Sequence, residues 1–129
     1  MKYLLLIYSN PEQWEHPVFR HHPDFRTLPP DEQANLTAQW EELRREIVES
    51  GELIQGVALA EPRRARTVRS RDGVRLVTDG PYAEAKEHLA GYLVVECADP
   101  RRASEIASRI PDARFAAVEV RPIGTFSVG

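Results

Sequence analysis

Apolar positions along the chain come in short blocks, and their spacing changes from block to block. Lys2 to Tyr8 is an almost unbroken run of Leu, Ile and Tyr closed by Ser-Asn-Pro, the pattern of a strand buried on both faces in mid-sheet. Pro11 to Pro30 has no period: five prolines, three histidines and scattered aromatics read as a long surface excursion. From Asp31 to Ser50 the period becomes helical, with Leu36, Trp40, Leu43 and Ile47 on one stripe. Pro30, Asp31 and Glu32 suit the positive end of a helix, and Gly51 suits its termination. Leu53 to Ala60 reads as a second strand, stopped by Pro62.

In Thr67 to Thr78, Asp72-Gly73 separates two runs carrying Val68, Val74, Leu76 and Val77, which predicts a hairpin with a two-residue turn. Gly91 to Cys97 is another buried strand, and Asp99-Pro100 supplies a cap and a first helical residue. Ala103, Ile106, Ala107 and Ile110 keep helical spacing up to Pro111, and Phe115 to Val120 forms the last strand. Setting the hairpin aside leaves βαββαβ, a single α+β domain of ferredoxin-like type, in which two helices cover one face of a four-stranded antiparallel sheet. The opposite face then needs cover, and a second copy is the simplest, which makes a homodimer the expected assembly.

Composition narrows the function classes. The 129 residues, 42% hydrophobic and 29% charged, fit one core of ordinary size. No apolar stretch nears the ~18 residues of a membrane span, and Tyr3 to Tyr8 lacks the cleavage pattern of a signal segment, so no membrane association and a cytoplasmic location are expected. A net charge of -3 gives no general attraction to nucleic acid. Cys97 is the single cysteine, which excludes an internal disulfide or a Cys-rich metal site.

Candidate chemistry concentrates between Asp79 and His88, where Asp79, Tyr82, Glu84, Lys86, Glu87 and His88 fall within ten residues just before a buried strand. Asp79-Gly80-Pro81 makes a turn on general grounds. Functionally, Asp79, Glu84 and Glu87 offer acid or base groups, while Tyr82, Lys86 and His88 could bind an anionic substrate. A salt-bridged turn competes with that reading.

The stretch from Asp79 to Glu87, with Asp79, Gly80, Pro81, Glu84, Lys86 and Glu87 in place, resembles the signature of the DGPF family within the YCII-related superfamily. Tyr82, Ala85, His88 and Ala90 depart from its usual pattern. The likeness extends to the opening strand, the Trp40 helix, Gly51-x-Leu53, Gly91-Tyr92 and Val118 to Pro122. It implies a dimeric α/β-barrel version of the ferredoxin-like fold, with a cleft near the signature. The residues themselves point to acid–base chemistry on a small anionic metabolite, whereas the gene context of the family implies the alternative, a non-catalytic protein that binds a partner such as an extracytoplasmic-function sigma factor. Some relatives of this kind resemble dehalogenases or lactone-handling enzymes that use a His and Asp pair. Their His at the start of the first helix and their Asp-Pro-Tyr find no clear match here.

Two other clusters carry less. His16, His21, His22 and Asp24 have side chains suited to a divalent metal but not the spacing of a site, so no metal is expected there; one imidazole could act as a base. Glu61 to Arg75 holds six arginines against two acids, a local charge of +4, without the aromatics of a nucleic-acid surface. The helix region Asp31 to Glu52 carries seven acids against Arg44 and Arg45, a balance of -5, and is the expected counter-charge, within the chain or across a dimer. No phosphate-binding glycine loop, dinucleotide fingerprint or Ser-His-Asp order is visible, so no cofactor is expected.

Overall fold

The computed structural model describes residues 1–82 and 86–124. Its strands are β1 (Lys2–Ser9), β2 (Leu53–Ala58), β3 (Arg66–Arg71), β4 (Val74–Asp79), β5 (His88–Glu96) and β6 (Ala117–Pro122). The helices are α1 (Pro23–Arg26), α2 (Pro30–Glu49), α3 (Pro100–Ser108) and α4 (Asp112–Phe115). Four strands form one antiparallel sheet in the order β2-β5-β1-β6, the order of a split βαβ arrangement once the hairpin is set aside.

Strand alternation sorts the sheet into two faces. Tyr3, Leu5, Leu93, Val95 and Cys97 point inward and meet Leu43 and Ile47 of α2 and Ala103, Ile106 and Ala107 of α3, which form the core. On the opposite face, Leu4 lies beside Val94 and Leu6 beside Tyr92, with Ile54 exposed at the β2 edge. Two helices therefore serve one face, as the element order requires.

Arg102 ties the layer together. Its guanidinium meets Glu52 at 2.8 Å, Glu46 at 2.9 Å and Glu105 at 2.8 Å, while Arg109 reaches Glu46 at 2.7 Å. Those hydrogen bonds pull the Glu52 carboxyl down to about 2 and lower that of Glu46. Asp99 caps α3 through a 3.0 Å bond from the Arg102 N–H, as its place before Pro100 predicts.

Three segments differ from expectation. The stretch from Pro11 to Pro30 is folded: a 3-10 turn at Val18–His21 and the single turn of α1 bury Val18, Phe19 and Phe25. Phe19 meets Phe25 edge-on at 5.6 Å, and Phe25 meets Phe115 at 6.0 Å, so scattered aromatics find one another without any period. Downstream, the chain after Pro111 makes the turn of α4 before β6, so Phe115 joins that aromatic group and the strand begins at Ala117. Strand β5 begins at His88, before Gly91, because His88 and Leu89 continue the pairing with Ser9 and Tyr8 past an irregularity in register.

The hairpin β3–β4 forms a separate two-stranded sheet. Asp72 at φ 51° and Gly73 at φ 77° both take the left-handed conformation that their dipeptide predicts. No helix among the described residues is long and apolar enough to cross a membrane.

Candidate functional site

Helix α2 does not close over the β2 edge of the sheet, and a cleft of about 500 Å³ lies between them. Its walls are Trp40, Arg44 and Ile47 of α2, the strand residues Leu53, Gly56, Ala58, Gly91 and Leu93, and the segment from His16 to Phe19. Glycine at 56 leaves the inner face of β2 low, and a side chain there would begin 3.2 Å from the Leu93 methyl carbon. Glycine at 91 has a different cause: β2 approaches so closely that a Cβ would sit 2.5 Å from the Val57 carbonyl oxygen.

Most of this lining is apolar, and the polar side chains His16, Arg44 and Asp112 stand out against it. The segment carrying His16 is tethered to the chain just past β2. Trp14 Nε1 donates to the Leu59 carbonyl at 2.9 Å, and His16 Nε2 lies 2.6 Å from the same oxygen. A carbonyl only accepts, so Nε2 carries the proton and a neutral His16 keeps its Nδ1 lone pair available as a base. Arg44 lies 5.8 Å from the centre of the Trp40 ring, which places a cation on an aromatic wall of the cleft.

Asp112 stands out by its environment. Only 6% of it is exposed, and its Oδ2 has no hydrogen-bond partner among the described residues. Burial disfavours the carboxylate and raises its pKa to about 7, a rise that its own backbone N–H partly offsets. A carboxyl poised there can hold or release a proton near neutral pH, the property required of a general acid or base. Pro111 and the first turn of α4 position it, which is why it was not visible as a site in the sequence: there it looks like an acid after a helix-stopping proline.

The residues singled out by sequence lie elsewhere. Asp79 ends β4 with its side chain 92% exposed, 3.8 Å from Arg66. Gly80, at φ 98°, donates to the Ala65 carbonyl at 2.7 Å and accepts from Thr67 Oγ1 at 2.9 Å, so Asp79-Gly80 closes the base of the hairpin. Tyr82 is 76% exposed beneath the Arg69 guanidinium. Lys86 is exposed, Glu87 and His88 are half-buried, and none of Asp79, Tyr82, Lys86, Glu87 or His88 lines the cleft. Glu84 lies outside the described residues.

Of the loop histidines, only His16 reaches the cleft. His22 accepts the Asp24 N–H at 3.1 Å to cap α1 and stacks on Phe115 at 5.4 Å, and His21 faces Glu15 at 3.9 Å. Cys97 is buried in the core, and burial raises its thiol pKa.

The model of the YCII-related domain matches residues 1–127. The chain belongs to this family. A relative from Rhizobium meliloti (strain 1021), itself described as uncharacterised, is 34% identical over 89 residues, which span 67% of this chain and 72% of its own. Among solved structures, the 5-chloro-2-hydroxyhydroquinone dehydrochlorinase of Burkholderia phenoliruptrix AC1100, in complex with 2,5-dihydroxybenzoquinone, aligns over 96% of this chain and 94% of its own. Its TM-score against this YCII-related protein is 0.43, at 15% identity.

Proposed function

We propose that this YCII-related protein, of the DGPF type by its signature, is an acid–base enzyme acting on a small anionic molecule in the cleft between α2 and the β2 edge. The observation that carries the reading is the buried Asp112 carboxyl, its Oδ2 without a partner among the described residues and its pKa near neutrality, on the same cleft as His16 and Arg44. In this reading His16 Nδ1 takes a proton, Asp112 supplies or accepts the second one, and Arg44 binds the substrate's negative charge while Trp40 meets its apolar body. A volume of about 500 Å³ admits a metabolite of one or two rings and excludes a polymer. Asp79, Tyr82, Lys86, Glu87 and His88 serve the hairpin base and the start of β5. The apolar outer face of the sheet is covered by a second copy, giving a homodimer.

Thermal-shift titration with simple aromatic carboxylates, benzoate and its hydroxylated derivatives, tests the cleft, with the corresponding neutral amides as controls. Carboxylates are expected to raise Tm, amides to have no effect, and Arg44→Met to abolish the rise. Equal effects of acid and amide, or binding that survives Arg44→Met, would remove the anionic substrate from the reading.

A further inference from the structure

The hairpin has the surface of a docked element, but nothing among the described residues of its own chain docks it. Eleven of the twelve residues of β3 and β4 are exposed. Val68, 60% exposed, pairs with Val77 on one face of the ribbon, and Val74 and Leu76 lie on the other opposite Arg71 and Arg69. A two-stranded ribbon with apolar side chains in water on both faces is marginal by itself. Its cations are also underused: among the described residues, Arg64, Arg71 and Arg75 meet no carboxylate, and Arg69 meets only the Tyr82 ring.

A complementary surface is present on the same molecule, on the outward side of α2. Asp31, Glu32, Glu41, Glu42 and Glu49 are exposed and form no ion pair among the described residues, since Arg102 and Arg109 engage only Glu46 and Glu52 of that region. Arg44 and Arg45 are the cations on this helix, fewer than the acids around them.

Six residues of extended chain reach ~20 Å, about the ~10 Å between two stacked sheets plus the ~10 Å thickness of the helix layer that covers the partner's sheet. We infer that the β3–β4 hairpin is an arm that clasps a second copy of this chain, its arginines meeting the acidic outward side of that copy's α2. Exchange is reciprocal, so each copy contributes one arm and one helix. The twelve arm residues and a similar number from α2 approach the roughly 20–30 residues a side of a standard interface. The arm carries alternating cation and apolar positions because it must be attracted to an acidic helix and still exclude water on contact.

Charge reversal tests the clasp on the full chain, at exposed positions outside the cleft. One variant carries Arg69→Glu, Arg71→Glu and Arg75→Glu, and the other Glu41→Arg, Glu42→Arg and Glu49→Arg. By sedimentation equilibrium, each alone is expected to form its dimer at least about tenfold more weakly than the parent, with circular dichroism unchanged. Mixed in equal amounts, they are expected to form a heterodimer of markedly higher affinity than either variant alone, because one of its two clasps then pairs reversed arm with reversed helix and the other pairs parental arm with parental helix. A parental dimer constant for the arm variant would overturn the inference, as would a mixture that regains no affinity or a parent that stays monomeric at micromolar concentration. Salt-sensitive binding of duplex DNA by the parent at ~0.15 M salt, lost in the arm variant without a change in mass, would assign the arm to nucleic acid instead.

Discussion

Replacing Asp112 with asparagine should make the protein more stable above neutral pH and less stable in acid. A folded-state pKa above the unfolded one means that the folded protein holds this proton more tightly. The group therefore costs nothing below the unfolded value, and its cost grows as pH rises through the interval and levels off above the folded value. With an ordinary value of 3.8 and a folded value of about 7, the interval at ~1.36 kcal/mol per pH unit amounts to about 4 kcal/mol against the native state at pH 8. An asparagine in its place would escape that cost but bury a second donor, the extra N–H that a neutral carboxyl lacks, at about 2 kcal/mol at every pH. The net expectation for Asp112→Asn is a gain of about 2 kcal/mol at pH 8, roughly 5–10 °C in Tm, and a loss of about 2 kcal/mol at pH 4. Urea denaturation of both proteins at one fixed concentration, from pH 4 to 8, reads the crossover directly. A difference that stays constant across that range would refute the reasoning, because it would mean that the carboxyl titrates no differently in the folded and unfolded chains. A group that is costly to keep is also what a proton-transfer site calls for, so under the proposed acid–base role the same variant should lose turnover while it gains stability.

Arg102→Met strands Glu52, while Glu46 keeps Arg109, and should cost about 1 kcal/mol at pH 7 in denaturant melts, less than a fully buried pair because the network is partly exposed. Because Glu52 is held at about 2, below its ordinary 4.5, its contribution is present above pH 4.5 and should fade as pH falls toward 2, closing the gap between variant and parent. On the proposed dimer, Leu6→Lys on the outer sheet face should leave a monomer by light scattering with the helical circular dichroism signal kept; a dimer of unchanged affinity would place the interface elsewhere. Asp79→Asn together with Lys86→Met should shift stability by less than about 1 kcal/mol and leave carboxylate binding intact, whereas loss of binding would return the site to the signature segment.

Wherever neighbouring residues decide the conformation, this protein was readable from its sequence. Leu36, Trp40, Leu43 and Ile47 announced α2 because a helix repeats every few residues, and Asp72-Gly73 announced its turn because both positions need positive φ. Asp99-Pro100 likewise marked the start of α3. The order of these elements led to the antiparallel sheet and the single helical layer, since short connections leave few ways to arrange them.

Neighbours along the chain could not decide what distant segments bring together. Phe19, Phe25 and Phe115 carry no joint pattern, and only folding closes them into one aromatic group. The cleft has the same origin: His16, Arg44 and Asp112 come from a loop, a helix and a helical turn far apart in sequence, and each is unremarkable where it stands. A dense run of ionisable residues at Asp79 to His88 drew the sequence reading to itself, yet its described members line no part of the cleft, and Asp79, Tyr82 and Lys86 lie in solvent, where charge costs little. Among the described residues, the carboxyl pushed furthest toward neutrality is that of Asp112, because desolvation depends on what surrounds a group in three dimensions, and its surroundings exist only in the folded protein.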